Sequence, residues 1–145
     1  LLAKLLDSTK LSGQKVKNIE TICWEKIFVN IGINPFGALT RLPNGMLLNI
    51  SELSKYMERA VREAIEVEKK KGVALEEKDY VEIMFGVARK TAQNKNSMLQ
   101  DILKGKPTEI EFINGRIVEY AKGLGIPVPI NELLALLVRG LEQSS

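Results

Sequence analysis

The chain has 145 residues, 45% hydrophobic and 27% charged, a balance that fits one domain around a single core and excludes a disordered polymer. With no histidine and one cysteine (Cys23), histidine acid–base catalysis, Ser-His-Asp triads, thiolate metal clusters and an intrachain disulfide are excluded. A net charge of +3 is too small to mark a nucleic-acid partner, and no apolar run approaches the ~20 residues of a membrane span, so neither partner is expected.

Leu1, Leu2, Leu5 and Leu6 read as one face of a helix ending near residue 9. There is no signal peptide, so the cytoplasm is the default compartment, and a chain opening on Leu in mid-pattern reads as a fragment of a longer protein. Residues 11–17 read as a loop. Asn18 then caps a helix whose apolar stripe is Ile19, Ile22, Cys23, Ile27 and Ile31, with Cys23 a buried small apolar residue. Pro35 predicts a kink or break over residues 32–35, with a second piece running to about Leu39. Pro43-Asn44-Gly45 is a turn signal.

Ser51 is expected to cap a long helix that buries Leu53, Met57, Ala60, Ala64 and Val67 and stops at Gly72. Its end, Lys69-Lys70-Lys71, reads as a solvated terminus whose cations complement the helix dipole. A further helix from about Glu77 to Ala92 turns Tyr80, Met84, Val87 and Ala88 inward, and a short one covers Met98 to Leu103. Thr108-Glu109-Ile110-Glu111 has the form of a capping box opening a helix that carries Phe112, Ile113, Ile117 and Tyr120 to Gly123 or Gly125. A final amphipathic helix runs from about Glu132 to Leu141. Nothing reads as a sheet core, so the predicted fold class is all-α.

Lys26, Asn30 and Asn34 fall at i, i+4 and i+8, a row about 12 Å long that drifts only about 80° around its helix. Ile22, Ile27, Phe28 and Ile31 flank this row and predict that it is partly desolvated. Two amides and an ammonium suit a small polyoxygenated acid, and a desolvated lysine has its pKa lowered toward the working pH of a proton donor. The same spacing also describes a lysine and two asparagines on a wet helix face, and spacing alone leaves both readings open.

The segment from Trp24-Glu25-Lys26 through Asn30 to Asn34-Pro35, followed by Pro43-Asn44-Gly45, resembles the helical domain of ketopantoate reductases. The later Asn96-Ser97-Met98-Leu99-Gln100-Asp101, Thr108-Glu109-Ile110 and Ile113-Asn114-Gly115 resemble that family's second signature, and the likeness covers essentially the whole chain. The resemblance implies a helical bundle like the 6-phosphogluconate dehydrogenase C-terminal-domain-like fold. It implies reduction of 2-dehydropantoate to pantoate with NADPH, in coenzyme A biosynthesis. Lys26 then protonates the ketone oxygen, Asn30, Asn34, Asn44 and Ser97 bind substrate, and Glu109 lies at the cofactor edge; no metal is implied. Each position has a structural alternative: Ser97 and Thr108 as caps, Glu109 as a first-turn carboxylate, Asn44 as a turn former. Gln100 and Asp101 are expected to make structural hydrogen bonds, and Trp24 to pack in the core.

The family's dinucleotide site is a Rossmann domain preceding the helical one, and no Gly-rich strand–helix fingerprint occurs in these 145 residues. The resemblance therefore assigns residues 1–145 to a single C-terminal domain that neither holds NADPH tightly nor turns over alone. The alternatives are a related NAD(P)-dependent 2-oxo acid reductase domain and a non-catalytic helical dimerisation module. Leu-rich faces at both ends fit either a homodimer or docking on the Rossmann domain.

Overall fold

The computed structural model describes residues 13–144, and the helix end predicted over residues 1–9 lies outside them. In chain order the elements are α1 (Gly13–Thr40), α2 (Asn44–Leu48), α3 (Ser51–Lys70), α4 (Tyr80–Lys90), α5 (Ser97–Leu103), a 3-10 turn (Ile110–Phe112), α6 (Asn114–Leu124) and α7 (Pro129–Ser144). No strand occurs among the described residues, as the all-α prediction requires. Among the described residues, no helix is long and apolar enough to cross a membrane.

The bundle is built around α1, which packs against α3, α4, α5 and α7. Every residue from 31 to 38 is buried, and all but Asn34 are apolar or small. Gly32 and Gly37 let the neighbouring helices close in. A Cβ on Gly32 would stand 2.8 Å from Val61 Cγ2 and 2.9 Å from Met84 Cγ, and one on Gly37 only 2.0 Å from Asn96 Nδ2.

α1 departs from expectation at both ends and in the middle. Residues 13–17 are helical, so Asn18 lies inside the helix instead of capping it; Gln14, Lys15 and Lys17 are good helix formers and need no cap there. The helix does not break at Pro35 but continues to Thr40. An interior proline costs about 3 kcal/mol, whereas burying Ile31, Ile33 and Phe36 around it contributes roughly 1.5–3 kcal/mol each. Packing outweighs the lost bond. The end is set by Arg41, whose φ of 63° is left-handed and whose amide donates to Gly37 O at 2.8 Å.

Several start signals are displaced. Pro43-Asn44-Gly45 does not form a turn but opens α2, because the Asn44 and Gly45 amides find acceptors in Asn94 O and Ala92 O, both at 3.0 Å. Ser51 is the first residue of α3, the cap position belongs to Ile50, and no side chain caps that end. α4 starts at Tyr80 because Asp79 Oδ1 accepts from the Glu82 amide at 2.9 Å. α7 opens at Pro129, where the missing N–H is no loss. Its free amides at Ile130 and Asn131 donate to the Glu63 carboxylate of α3, both at 3.0 Å.

Met57, Ala60, Ala64, Val67, Tyr80, Met84 and Ala88 are buried as predicted, while Leu53 and Val87 are half-buried. Two predicted inward residues are exposed: Phe112 at 70% and Ile22 at 62%. Phe112 falls in the 3-10 turn, whose threefold spacing breaks the predicted helical face. Ile22 lies on a stretch of α1 that the other described helices do not cover. Cys23 is half-buried rather than buried, and the Lys69–Lys71 end is exposed as expected.

Candidate functional site

The row on α1 exists, and it is graded. Lys26 is exposed, Asn30 half-buried, and Asn34 buried with 6% of its surface accessible. The predicted desolvation therefore holds at the Asn34 end and fails at Lys26: its neighbour one turn back, Ile22, is itself open to solvent. The face is set by aromatic packing. Trp24 is half-buried and stacks on Phe28 at 5.8 Å between ring centroids, and Phe28 meets Tyr80 of α4 edge-on at 5.0 Å. Beside Lys26, Glu25 pairs with Lys78 at 2.7 Å. Burial and the Glu25 and Glu76 carboxylates push the Tyr80 hydroxyl above its usual range, with burial the largest cause.

Two further candidates, Asn44 and Ser97, are held by the segment 91–97, which Asn96 ties to α1. Asn96 caps α5 by accepting from the Leu99 amide at 2.9 Å, and its Nδ2 donates to Ile33 O at 3.4 Å. That bond ties the start of α5 to the backbone beside Asn34. Because Asn96 does the capping, Ser97 is released from it: it is the first residue of α5, exposed. Asn44 is buried at the start of α2. Its amide nitrogen donates to Thr91 Oγ1 at 2.9 Å, and its Oδ1 is buried without a partner among the described residues. The segment 91–97 is thus the common support of Asn44 and Ser97, and through Asn96 it meets Asn34.

Glu109 stands apart. It is exposed, just before the 3-10 turn, and no bond among the described residues links it to α1. The capping box predicted here does not form. Thr108 Oγ1 accepts from the Ile110 amide at 3.2 Å, and Glu111 pairs with Arg139 instead of returning to the cap. Hydrogen bonding to Arg139 holds the Glu111 carboxyl below its usual range.

Hydrogen bonding divides the asparagines by use. Asn96 and Asn131 are spent on the fold, and Asn114 Nδ2 donates to Asn131 Oδ1 at 3.0 Å. By contrast, the side chains of Lys26, Asn30, Asn34, Ser97 and Glu109 make no hydrogen bond or ion pair among the described residues. Gln100 makes its expected structural bond, Nε2 to Lys95 O at 2.8 Å, whereas the Asp101 side chain makes none. Asn96 is the residue that reading the sequence missed. An Asn directly before the first helical residue is a cap signal, and it was available.

The larger surface groove, about 660 Å³, lies between α3 and the loop before α4 and includes Arg62, Lys69, Lys78 and Tyr80. A second, about 390 Å³, lies beside Glu63 and Pro127. Neither contains any of the six candidates. Lys26, Ser97 and Glu109 are exposed while Asn34 and Asn44 are buried, and no group of acidic or cysteine side chains that could hold a metal ion occurs among the described residues.

Fold and site together define an all-α bundle whose central helix carries a row of polar side chains without partners among the described residues. The chain belongs to the family described as ketopantoate reductase PanE/ApbA C terminal, whose model matches residues 18–142. It is 35% identical over 141 residues to the 2-dehydropantoate 2-reductase of Pyrococcus abyssi, covering 97% of this chain and 47% of that protein. The PanE/ApbA family ketopantoate reductase of Ralstonia eutropha JMP134 superposes with a TM-score of 0.81 at 33% identity, over 86% of this chain and 41% of that one. A D-mandelate dehydrogenase solved with NADH superposes equally well, at 0.81, with 25% identity over 88% of this chain and 44% of that one. The chain spans about half the length of the curated relatives it matches.

Proposed function

We propose that this chain is the substrate-binding and proton-donating half of a cytoplasmic NADPH-dependent 2-dehydropantoate 2-reductase. The observation that carries the reading is the set of polar side chains at the family's motif positions that the fold leaves unspent. A buried amide oxygen such as Asn44 Oδ1, which has no partner among the described residues, costs the fold stability, and a ligand that supplies the donor returns it. In this reading Asn30, Asn34 and Asn44 hold the hydroxyl and carbonyl side of the substrate, Ser97 binds its carboxylate, and Lys26 gives a proton to the ketone oxygen.

NADPH, when bound, supplies the hydride that reaches the ketone carbon. Glu109 is an exposed acceptor suited to the cofactor's edge, and the rest of the dinucleotide belongs to a Rossmann half of the same protein. As the carbon is reduced, negative charge grows on the oxygen. The Lys26 ammonium stabilises that charge and then transfers its proton, so the product is the 2-hydroxy acid. An open half-site explains why Lys26 is exposed and why neither groove marks the centre: the cleft is closed by the other half. The exposed apolar row Leu133, Leu136 and Leu137 on α7 remains open to that half or to a second copy.

The likeness to D-mandelate dehydrogenase keeps one competing reading, a reductase of another 2-oxo acid that uses NADH. The deciding assay takes the full-length protein with 2-dehydropantoate or with the 2-oxo acid of mandelate, each with NADPH and with NADH. A site built to hydrogen-bond a substrate hydroxyl should favour 2-dehydropantoate by about 10²-fold or more in kcat/KM. A preference for the aromatic acid would show that the amide row serves another substrate, and a preference for NADH would correct the cofactor.

A further inference from the structure

Helix α7 holds the segment that carries Glu109 from both sides. Before it, the Thr108 amide and hydroxyl both donate to Glu142 Oε1, at 2.8 and 2.5 Å. After it, Arg139 grips Glu111 through Nε and Nη2, with Nη2 3.0 Å from Oε2. Residues 139 and 142 are three apart on one helix and therefore share a face. Between the two grips the Glu109 carbonyl accepts from the Phe112 and Ile113 amides, at 2.9 and 3.2 Å, which leaves its carboxylate as the free group of the segment.

The two grips are not equal. Arg139 and Glu111 are an exposed pair, 44% and 53% accessible, and such pairs add little. Glu142 is half-buried, and one carboxylate oxygen takes two donors from the same residue, bonds roughly twice as strong as neutral ones. A loop side chain is only as well placed as its backbone, and Thr108 is the residue immediately before Glu109.

We infer that Glu142 is a positioning residue for the reaction: through Thr108 it fixes the backbone from which the Glu109 carboxylate reaches the cofactor edge. Glu142 itself touches neither substrate nor cofactor. The inference rests on the role given to Glu109 above, and a double-mutant cycle separates the two.

Steady-state kinetics of the full-length protein with NADPH and 2-dehydropantoate are measured for Glu142→Ala, Glu142→Gln, Glu109→Ala and the Glu109→Ala/Glu142→Ala pair. Thermal melting confirms that each is folded at the assay temperature. Glu142→Ala lowers kcat/KM about tenfold, less than the ~100-fold that a 1 Å misplacement can cost. Glu142→Gln stays close to wild type, because its amide oxygen still accepts both Thr108 donors. In the Glu109→Ala background, Glu142→Ala adds less than about twofold, the mark of a residue acting through its neighbour. Should Glu142→Ala fail to fold, Thr108→Val removes only the hydroxyl half of the grip and predicts a smaller loss with the same lack of additivity. A full Glu142→Ala loss on top of an impaired Glu109→Ala, or a Glu142→Ala indistinguishable from wild type, overturns this inference alone. A fully active Glu109→Ala overturns the role of Glu109, and this inference with it.

Discussion

Glu68 is only 1% exposed, near the C-terminal end of α3. Among the described residues its charged partner is Lys71, 3.4 Å away and itself lying over the Tyr120 ring. Burial pushes the Glu68 carboxyl above its usual range, and Lys71 offsets this only in part. A carboxyl whose pKa is raised by folding binds its proton more tightly in the folded state. Its contribution is therefore fully present below the unfolded value, 4.5, and is lost as the pH rises through the folded value. Glu68→Gln, which cannot ionise, should raise the melting temperature by a few degrees at pH 7 and change it little at pH 4. A lower melting temperature at pH 7 would mean that the Lys71 pair outweighs the burial. Helical phase sets Glu68 four residues after Ala64 on the buried face and leaves Glu66 off it, exposed; phase alone does not say that a carboxyl on that face will be fully covered.

The first turn of α7 is completed by another helix. Glu63 accepts from the Ile130 and Asn131 amides and from Asn131 Nδ2, the last at 2.8 Å, so a side chain of α3 does the work of an N-cap 67 residues away in sequence. Glu63→Ala removes all three hydrogen bonds at once and should cost about 2–3 kcal/mol in urea unfolding, combining a lost cap with unpaired buried donors. A loss below about 0.5 kcal/mol, the range of an ordinary surface change, would show that solvent satisfies those amides. Reading the sequence found the helices but misplaced such ends for the same reason. Local chemistry marked Asn18 and Ser51, whereas the acceptors used by α2 and α7 come from residues 92, 94 and 63, which only the packed bundle brings near. Pro35 failed as a breaker because tertiary burial on every side of α1 exceeds a local penalty.

At the scale of the molecule, the proposed half-site lies on a bundle whose core serves to hold α1 and the segment 91–97. The row Lys26, Asn30, Asn34 was legible from helical spacing, and the resemblance added Asn44, Ser97 and Glu109. The gradient of burial along the row was not legible, since it depends on which helices cover α1 and where they stop. The central claim is that Lys26 is the proton donor to the ketone oxygen. Its most direct test compares wild type with Lys26→Ala in the full-length protein, with NADPH and 2-dehydropantoate at saturation and the binding of each followed separately. The account predicts a fall in kcat of about 10²–10⁴, the usual worth of a positioned general acid, with NADPH affinity largely kept. A Lys26→Ala enzyme whose kcat stays close to wild type would contradict it.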